Sequence, residues 1–137
     1  MPWSTPIYQP PTGASARHDL LIVSCAVSAG IHAALVPEHL GESAATGGGF
    51  IGSAAVLLAL AIALTLRPRS RAVVAAAALT LVGLIVAYAL ATTSGVPILQ
   101  PEPEAVDGLA LATKGVEIVG VLAALQLTLF KRQPEGA

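Results

Sequence analysis

The sequence has few charged residues, few aromatic residues and a single cysteine. Only 11% of its 137 residues are Asp, Glu, Lys or Arg, whereas a soluble domain carries about 25%. The 8 acidic and 7 basic residues nearly cancel, so the chain lacks the basic surface that a nucleic-acid partner requires. Cys25 alone can form neither an intrachain disulfide nor a zinc site with two cysteine ligands. These shortages argue against a soluble, a nucleic-acid-binding and a disulfide-stabilised protein.

The sequence is instead rich in long apolar segments. Hydrophobic residues make up 55% of the chain, and the mean hydropathy is +0.77. Four apolar runs, at about 20–36, 49–66, 72–94 and 109–130, fall in or near the ~17–25 residues that a spanning helix needs. A backbone in lipid must satisfy its own hydrogen bonds, so we expect helices and not strands. Because the loops are short, the sequence predicts an all-α, four-helix transmembrane bundle with up-down-up-down topology.

The segments that flank the apolar runs divide the chain into three parts. Residues 1–18 contain four prolines and predict a disordered N-terminal tail. The transmembrane domain is expected over 19–132, followed by a short C-terminal tail at 133–137. Pro37 either ends or kinks the first helix, and the sequence leaves both alternatives open.

The charged residues in the connections predict the orientation in the membrane. Arg67, Arg69 and Arg71 lie between the second and third runs, and Lys131 and Arg132 follow the fourth. The first and third connections carry acidic residues and no Lys or Arg. Because basic residues stay on the cytoplasmic side, we expect both termini to be cytoplasmic in a multi-pass protein of the plasma membrane.

Four ionisable side chains lie inside the predicted spans: His32, Tyr88, Lys114 and Glu117. Such groups are costly in a bilayer and usually face the bundle interior or water. Counting from the helix ends places all four in the outer half of the membrane, where they can meet. Lys114 and Glu117 are three residues apart and can pair with each other, whereas His32 can also serve as a simple interhelical hydrogen-bonding group.

A metal site is the main functional hypothesis. His32 and His39 are seven residues apart and Glu42 follows at three more, so an unbroken helix would present them on one face. Neutral imidazole and carboxylate are suitable ligands for zinc, copper or iron. We therefore predict a transition-metal site formed by His32, His39, Glu42 and Glu117. The competing interpretation is that His39 and Glu42 are solvated loop residues.

Small residues predict how the helices pack. Glycine and alanine allow two backbones to approach closely in lipid, where no hydrophobic driving force brings helices together. We expect this role for Gly48 and Gly52 in the second helix, and for Ala75, Ala76 and Gly83 in the third.

Two further functions compete with metal handling. In the first, the protein is a small accessory subunit, and a membrane-protein partner or a second copy of the protein lies beside it in the lipid bilayer. In the second, it is a proton-coupled transporter that uses Glu117. Catalysis has little support, since Ser24 and Ser28 near His32 form no Ser-His-Asp order.

Three segments resemble a known group of proteins. They are 31–40 followed by Glu42, Tyr88 with the later 94–97, and 101–104 leading to the helix that carries Glu117. Together they are similar to small, mostly uncharacterised actinobacterial four-helix membrane proteins, and the resemblance covers most of residues 19–130. It implies the same four-helix fold and adds no established activity.

Overall fold

The described part of the chain folds into four long helices. The structure, a computed structural model, describes residues 13–96 and 103–129. The helices are α1 (Gly13–Glu42), α2 (Ala44–Leu66), α3 (Arg71–Thr93) and α4 (Gly108–Leu129). Each is long and apolar enough to cross a membrane, and the described residues form no β-strand. For the described residues, the prediction of an all-α protein with four helices that are long and apolar enough to span a membrane is confirmed.

The bounds of α2, α3 and α4 agree closely with the predicted spans. The helices α3 and α4 begin and end within one residue of the prediction, and α2 ends at Leu66 as expected. However, α2 begins at Ala44 and not at Gly49. The side chain of Ser43 accepts a hydrogen bond from the Thr46 backbone N–H at 3.0 Å, which caps the helix before its glycines.

The first helix is longer than predicted at its N-terminal end. It begins at Gly13, so residues 13–18 are helical and do not belong to a disordered tail. The reason is local, because residues 12–36 contain no proline and because Ala14, Ala16 and Arg17 favour helix. Residues 1–12 and the predicted C-terminal tail at 133–137 lie outside the described residues.

The first helix also continues through Pro37 to Glu42. Proline has no N–H to donate to the carbonyl four residues earlier, yet membrane helices tolerate this loss where neighbouring groups re-satisfy the backbone. Continuation preserves the helical register, and both His32 and His39 are buried. The alternative in which the helix ends at Pro37 is excluded.

The first helix is the centre of the packing. It contacts α2 most extensively and α4 next, α3 packs mainly against α4, and α2 and α3 touch little. The buried apolar core includes Cys25, which packs there as a small hydrophobic side chain. Many large apolar side chains point outward on all four helices, as expected for surfaces that face lipid.

Two glycines permit close helix packing. A Cβ on Gly120 would lie 2.7 Å from Leu81 Cδ1 and 2.8 Å from Ser24 Cβ, and one on Gly47 would lie 2.8 Å from the Leu40 Cα. By contrast, a Cβ added at the predicted packing glycines 48, 52 and 83 would meet nothing within 4 Å, and residues 75 and 76 are exposed. The prediction for those five positions is wrong because they lie on outward-facing sides of their helices.

Candidate functional site

A cavity of about 300 Å³ lies at one end of the bundle. At this end α1 stops, α2 starts, α3 stops and α4 starts, and all four helices contribute to the wall. Its charged and aromatic lining residues are His32, Glu38, His39, Glu42, Phe50, Tyr88, Glu104, Asp107 and Lys114. The predicted metal ligands all belong to the first and fourth helices and the connection after the first, and the structure adds side chains from α2 and α3 to the cavity wall.

The ring of His32 is held by the backbone of its own helix. Its Nδ1 lies 2.9 Å from the Ser28 carbonyl oxygen. Because a carbonyl can only accept, Nδ1 is the donor, and in a neutral imidazole the other nitrogen, Nε2, then carries the free lone pair. His32 is therefore held as the tautomer whose Nε2 can bind a cation.

The ring of His39 is held in a similar way by a carboxylate. Its Nδ1 lies 2.9 Å from Glu42 Oε2, so this ring also directs Nδ1 to an acceptor. One face of the ring stacks on Phe50, with centroids 3.9 Å apart and an interplanar angle of 22°. Phe50 also contacts His32 at a centroid distance of 5.4 Å. A single phenyl ring from α2 thus contacts both imidazoles.

Glu117 lies beside the cavity and is not part of its wall. Its side chain is fully buried, and it accepts hydrogen bonds from Ser28 Oγ at 2.8 Å and from Lys114 Nζ at 2.6 Å. The Ser28 contact joins α1 to α4, and the Lys114 contact is the ion pair that the spacing of the two residues predicts. Both carboxylate oxygens therefore have partners within the protein.

Tyr88 and Lys114 complete this side of the cavity. The Lys114 ammonium lies 5.4 Å from the centroid of the Tyr88 ring, within the range of a cation–π contact. The Tyr88 hydroxyl is buried and has no hydrogen-bond partner in the described part of the chain. Since an unsatisfied buried hydroxyl is costly, this group has hydrogen-bonding capacity to offer a ligand or a water molecule in the cavity.

The structure does not bring the four predicted metal ligands to one point. His32 and His39 both line the cavity, Glu42 holds the ring of His39, and Glu117 is paired with Lys114. Over 13–96 and 103–129, no three His, Cys, Asp or Glu side chains are arranged to share one metal ion. The ion pair with Lys114 occupies the carboxylate that the predicted site would need.

Acidic side chains surround the mouth of the cavity. Glu38, Glu42, Glu104 and Asp107 all line it. Asp107 also has a structural role, since its Oδ1 accepts a hydrogen bond from the Ala110 N–H at 2.7 Å and caps α4. The one lysine in the wall is already neutralised by Glu117, so the cavity has a field that attracts cations.

Sequence reasoning missed two residues of the site. Ser28 was considered only as a catalytic serine, although its position four residues before His32 places both on one helix face. Phe50 lies within the second apolar run, and only its rarity, as one of 2 phenylalanines, sets it apart. No sequence pattern indicates that it contacts both histidines.

Comparisons with known proteins give no relative from which a function could be transferred. No protein-family model, no curated protein and no solved structure matches this chain.

Proposed function

We propose that the protein is a multi-pass protein of the plasma membrane that binds a transition-metal cation, namely zinc, copper or iron, in the cavity at the His32 end. One observation carries the proposal: each histidine in the cavity wall directs Nδ1 to an acceptor, the Ser28 carbonyl for His32 and Glu42 for His39. Histidines that bind metals almost always donate their other ring N–H to a carboxylate or a backbone carbonyl. Both rings are thus prepared to bind through Nε2.

The proposal changes the ligand set. His32 and His39 supply nitrogen ligands, and Glu42 orients His39 and raises its basicity without itself binding the ion. Glu117 stays with Lys114 and Ser28. Water or rim carboxylates complete the coordination sphere, which makes this an open site, whereas structural zinc sites are closed by four protein ligands.

Metal titration of the purified protein tests this function. Isothermal titration with Zn²⁺ should show one saturable site in the wild type. Loss of a group that orients a metal ligand lowers metal affinity by ~10–100-fold, and His32→Ala or His39→Ala, which removes a ligand itself, should lower the Zn²⁺ affinity by more than that. Glu42→Gln should lower the Zn²⁺ affinity by about 10–100-fold, because Glu42 only orients His39. His18→Ala is the matched control, because His18 is the third histidine and lies at the opposite end of α1. Equal weakening by the control would contradict the proposal.

The orientation is part of the same proposal. The arginine-rich connection at 67–71 supports a cytoplasmic position for that end and for both termini, with the helices alternating in direction and the cavity facing outward. Single cysteines can test it in a Cys25→Ala background. A membrane-impermeant thiol reagent on intact cells should label Gly41→Cys, which is exposed at the cavity end, and should label Arg67→Cys only after permeabilisation. Labelling of Arg67→Cys on intact cells, and of Gly41→Cys only after permeabilisation, would place the cavity on the cytoplasmic side of the membrane.

A second candidate function, proton-coupled transport, has one specific observation in its favour. Glu117 is a fully buried carboxylate paired with Lys114, and Ser28 links it to the helix turn that holds His32. Ionisable groups buried in membrane helices often serve as proton sites. In proteoliposomes, Glu117→Gln should abolish proton movement that accompanies cation flux. Unchanged proton movement in this variant would rule out the second candidate and leave the metal site untouched.

A further inference from the structure

A second cavity, of about 240 Å³, lies at the opposite end of the bundle. It is formed where the start of α1, the connection between α2 and α3, and the end of α4 meet. The residues that line it are His18, Pro68, Arg69, Ser70, Arg71, Val74, Leu127 and Thr128. This cavity takes no part in the function proposed above.

The polar groups in this wall suit an anion that carries several oxygen atoms. Arg69 and Arg71 bring two guanidinium groups, whose planar donors match phosphate. The His18 Nε2 is buried and has no hydrogen-bond partner within the described ranges, so it can bond to a ligand oxygen. Among the described residues that line the cavity, none is Asp or Glu. The cavity at the other end is lined by four carboxylates, so the two cavities differ in the sign of the charge that dominates their walls.

We infer that this basic cavity binds the phosphate group of an anionic lipid. The cavity lies at the ends of membrane-spanning helices, where lipid phosphates are found, and Val74 and Leu127 supply apolar wall on the side of the spans. Basic pockets between transmembrane helices on the cytoplasmic side are suited to acidic headgroups. The arginines hold the phosphate at the mouth while the acyl chains lie along the apolar helix surfaces.

Lipid retention by the purified full-length protein tests the inference. Native mass spectrometry should show more bound phosphatidylglycerol than phosphatidylcholine when both are supplied equally, by about tenfold or more for two arginines at the membrane surface. Arg69→Gln with Arg71→Gln should reduce this preference to near unity. Arg67→Gln is the matched control: it removes an exposed arginine of the same connection that does not line the cavity, and it should keep most of the preference.

A further variant and a competitor distinguish a built site from general attraction. His18→Phe keeps the net positive charge of the arginines but removes both ring nitrogens of the imidazole, and it should lower the preference for phosphatidylglycerol while the helical circular dichroism is retained. Equal losses from Arg67→Gln and from the double variant would overturn the inference, because only overall charge would then matter. Displacement of the lipid by millimolar inorganic phosphate would overturn the assignment to a lipid.

Discussion

The two ends of the bundle use the same four helices for opposite chemistry. At one end, Ser43 alone separates α1 from α2, and acidic residues surround two buried imidazoles. At the other end, a four-residue connection with arginines joins α2 to α3, and its side chains are largely exposed. The acidic end extends inward to the buried Lys114–Glu117 pair, whereas Arg67, Arg69 and Arg71 at the basic end are exposed. Under the two proposals above, the acidic end would bind the metal ion and the basic end would hold the phosphate of an anionic lipid.

The largest expected effect follows from breaking the buried ion pair at the acidic end. Glu117→Ala leaves the Lys114 ammonium, only 13% exposed, without its carboxylate, and loss of one partner of a buried pair costs about 3–5 kcal/mol. Thermal and denaturant unfolding in detergent, followed by circular dichroism, measures the change. The control is Lys114→Met combined with Glu117→Leu, which should recover near wild-type stability because an apolar replacement of the whole pair is often neutral. If the single variant is as stable as the double one, the pair does not hold this end together.

A smaller loss is expected from removing the serine that joins α1 to α4. Ser28→Ala takes a hydrogen bond from the buried carboxylate of Glu117, and hydrogen bonds to charged groups contribute about 1.5–3 kcal/mol. The same unfolding measurement applies. Ser53→Ala, a half-buried serine in the cavity wall on α2, serves as the comparison and should cost less. Equal losses in the free energy of unfolding for the two serine variants would mean that the hydrogen bond to Glu117 adds no stability of its own.

Close packing beneath the cavity gives a prediction of similar or smaller size. Gly120→Ala would push a methyl group into Leu81 and Ser24, and overpacking of this kind costs about 1–3 kcal/mol. Gly115→Ala on the same helix meets nothing within 4 Å and should stabilise α4 by up to about 1 kcal/mol through helix propensity. Opposite signs for the two variants in unfolding experiments would confirm the packing, and a stabilising Gly120→Ala would contradict it.

The smallest effect is expected at the basic end. Arg67 is exposed, and surface substitutions away from special features usually change stability by less than about 0.5 kcal/mol. Arg67→Gln should therefore leave the free energy of unfolding unchanged, even though it removes one unit of charge, as Glu117→Ala does. A loss comparable to that of Glu117→Ala would remove the distinction between a surface end and a buried end.

Much of the fold could be predicted from the sequence because lipid imposes simple rules. Hydropathy and length define α3 and α4 to within one residue, since a bilayer demands apolar helices of about that length. The extension of α1 through Pro37 could not be predicted, because whether a proline ends or kinks a helix depends on the neighbouring helices that re-satisfy the backbone. The glycines in close contacts were also missed, since the rotation of each helix about its axis is set by tertiary packing.

The candidate site could be predicted only in part. His32, Glu117 and Lys114 are conspicuous because ionisable side chains are rare in apolar spans, and the pairing of Lys114 with Glu117 follows from their spacing. Their division of roles does not follow from spacing: the carboxylate of Glu117 is occupied by Ser28 and Lys114, which leaves the imidazoles as the free ligands. Phe50 could not be predicted as the ring that contacts both histidines, because that contact depends on how α2 lies against α1.

X-ray absorption spectroscopy of the zinc-loaded protein tests the central claim most directly, because it counts the ligands of the ion. The account predicts two imidazole nitrogens at about 2.0–2.1 Å from zinc in the wild type. It predicts the same spectrum for His18→Ala and loss of the imidazole signal when His32→Ala and His39→Ala are combined. A wild-type spectrum with only oxygen ligands, or an unchanged imidazole signal in the double variant, would contradict the account.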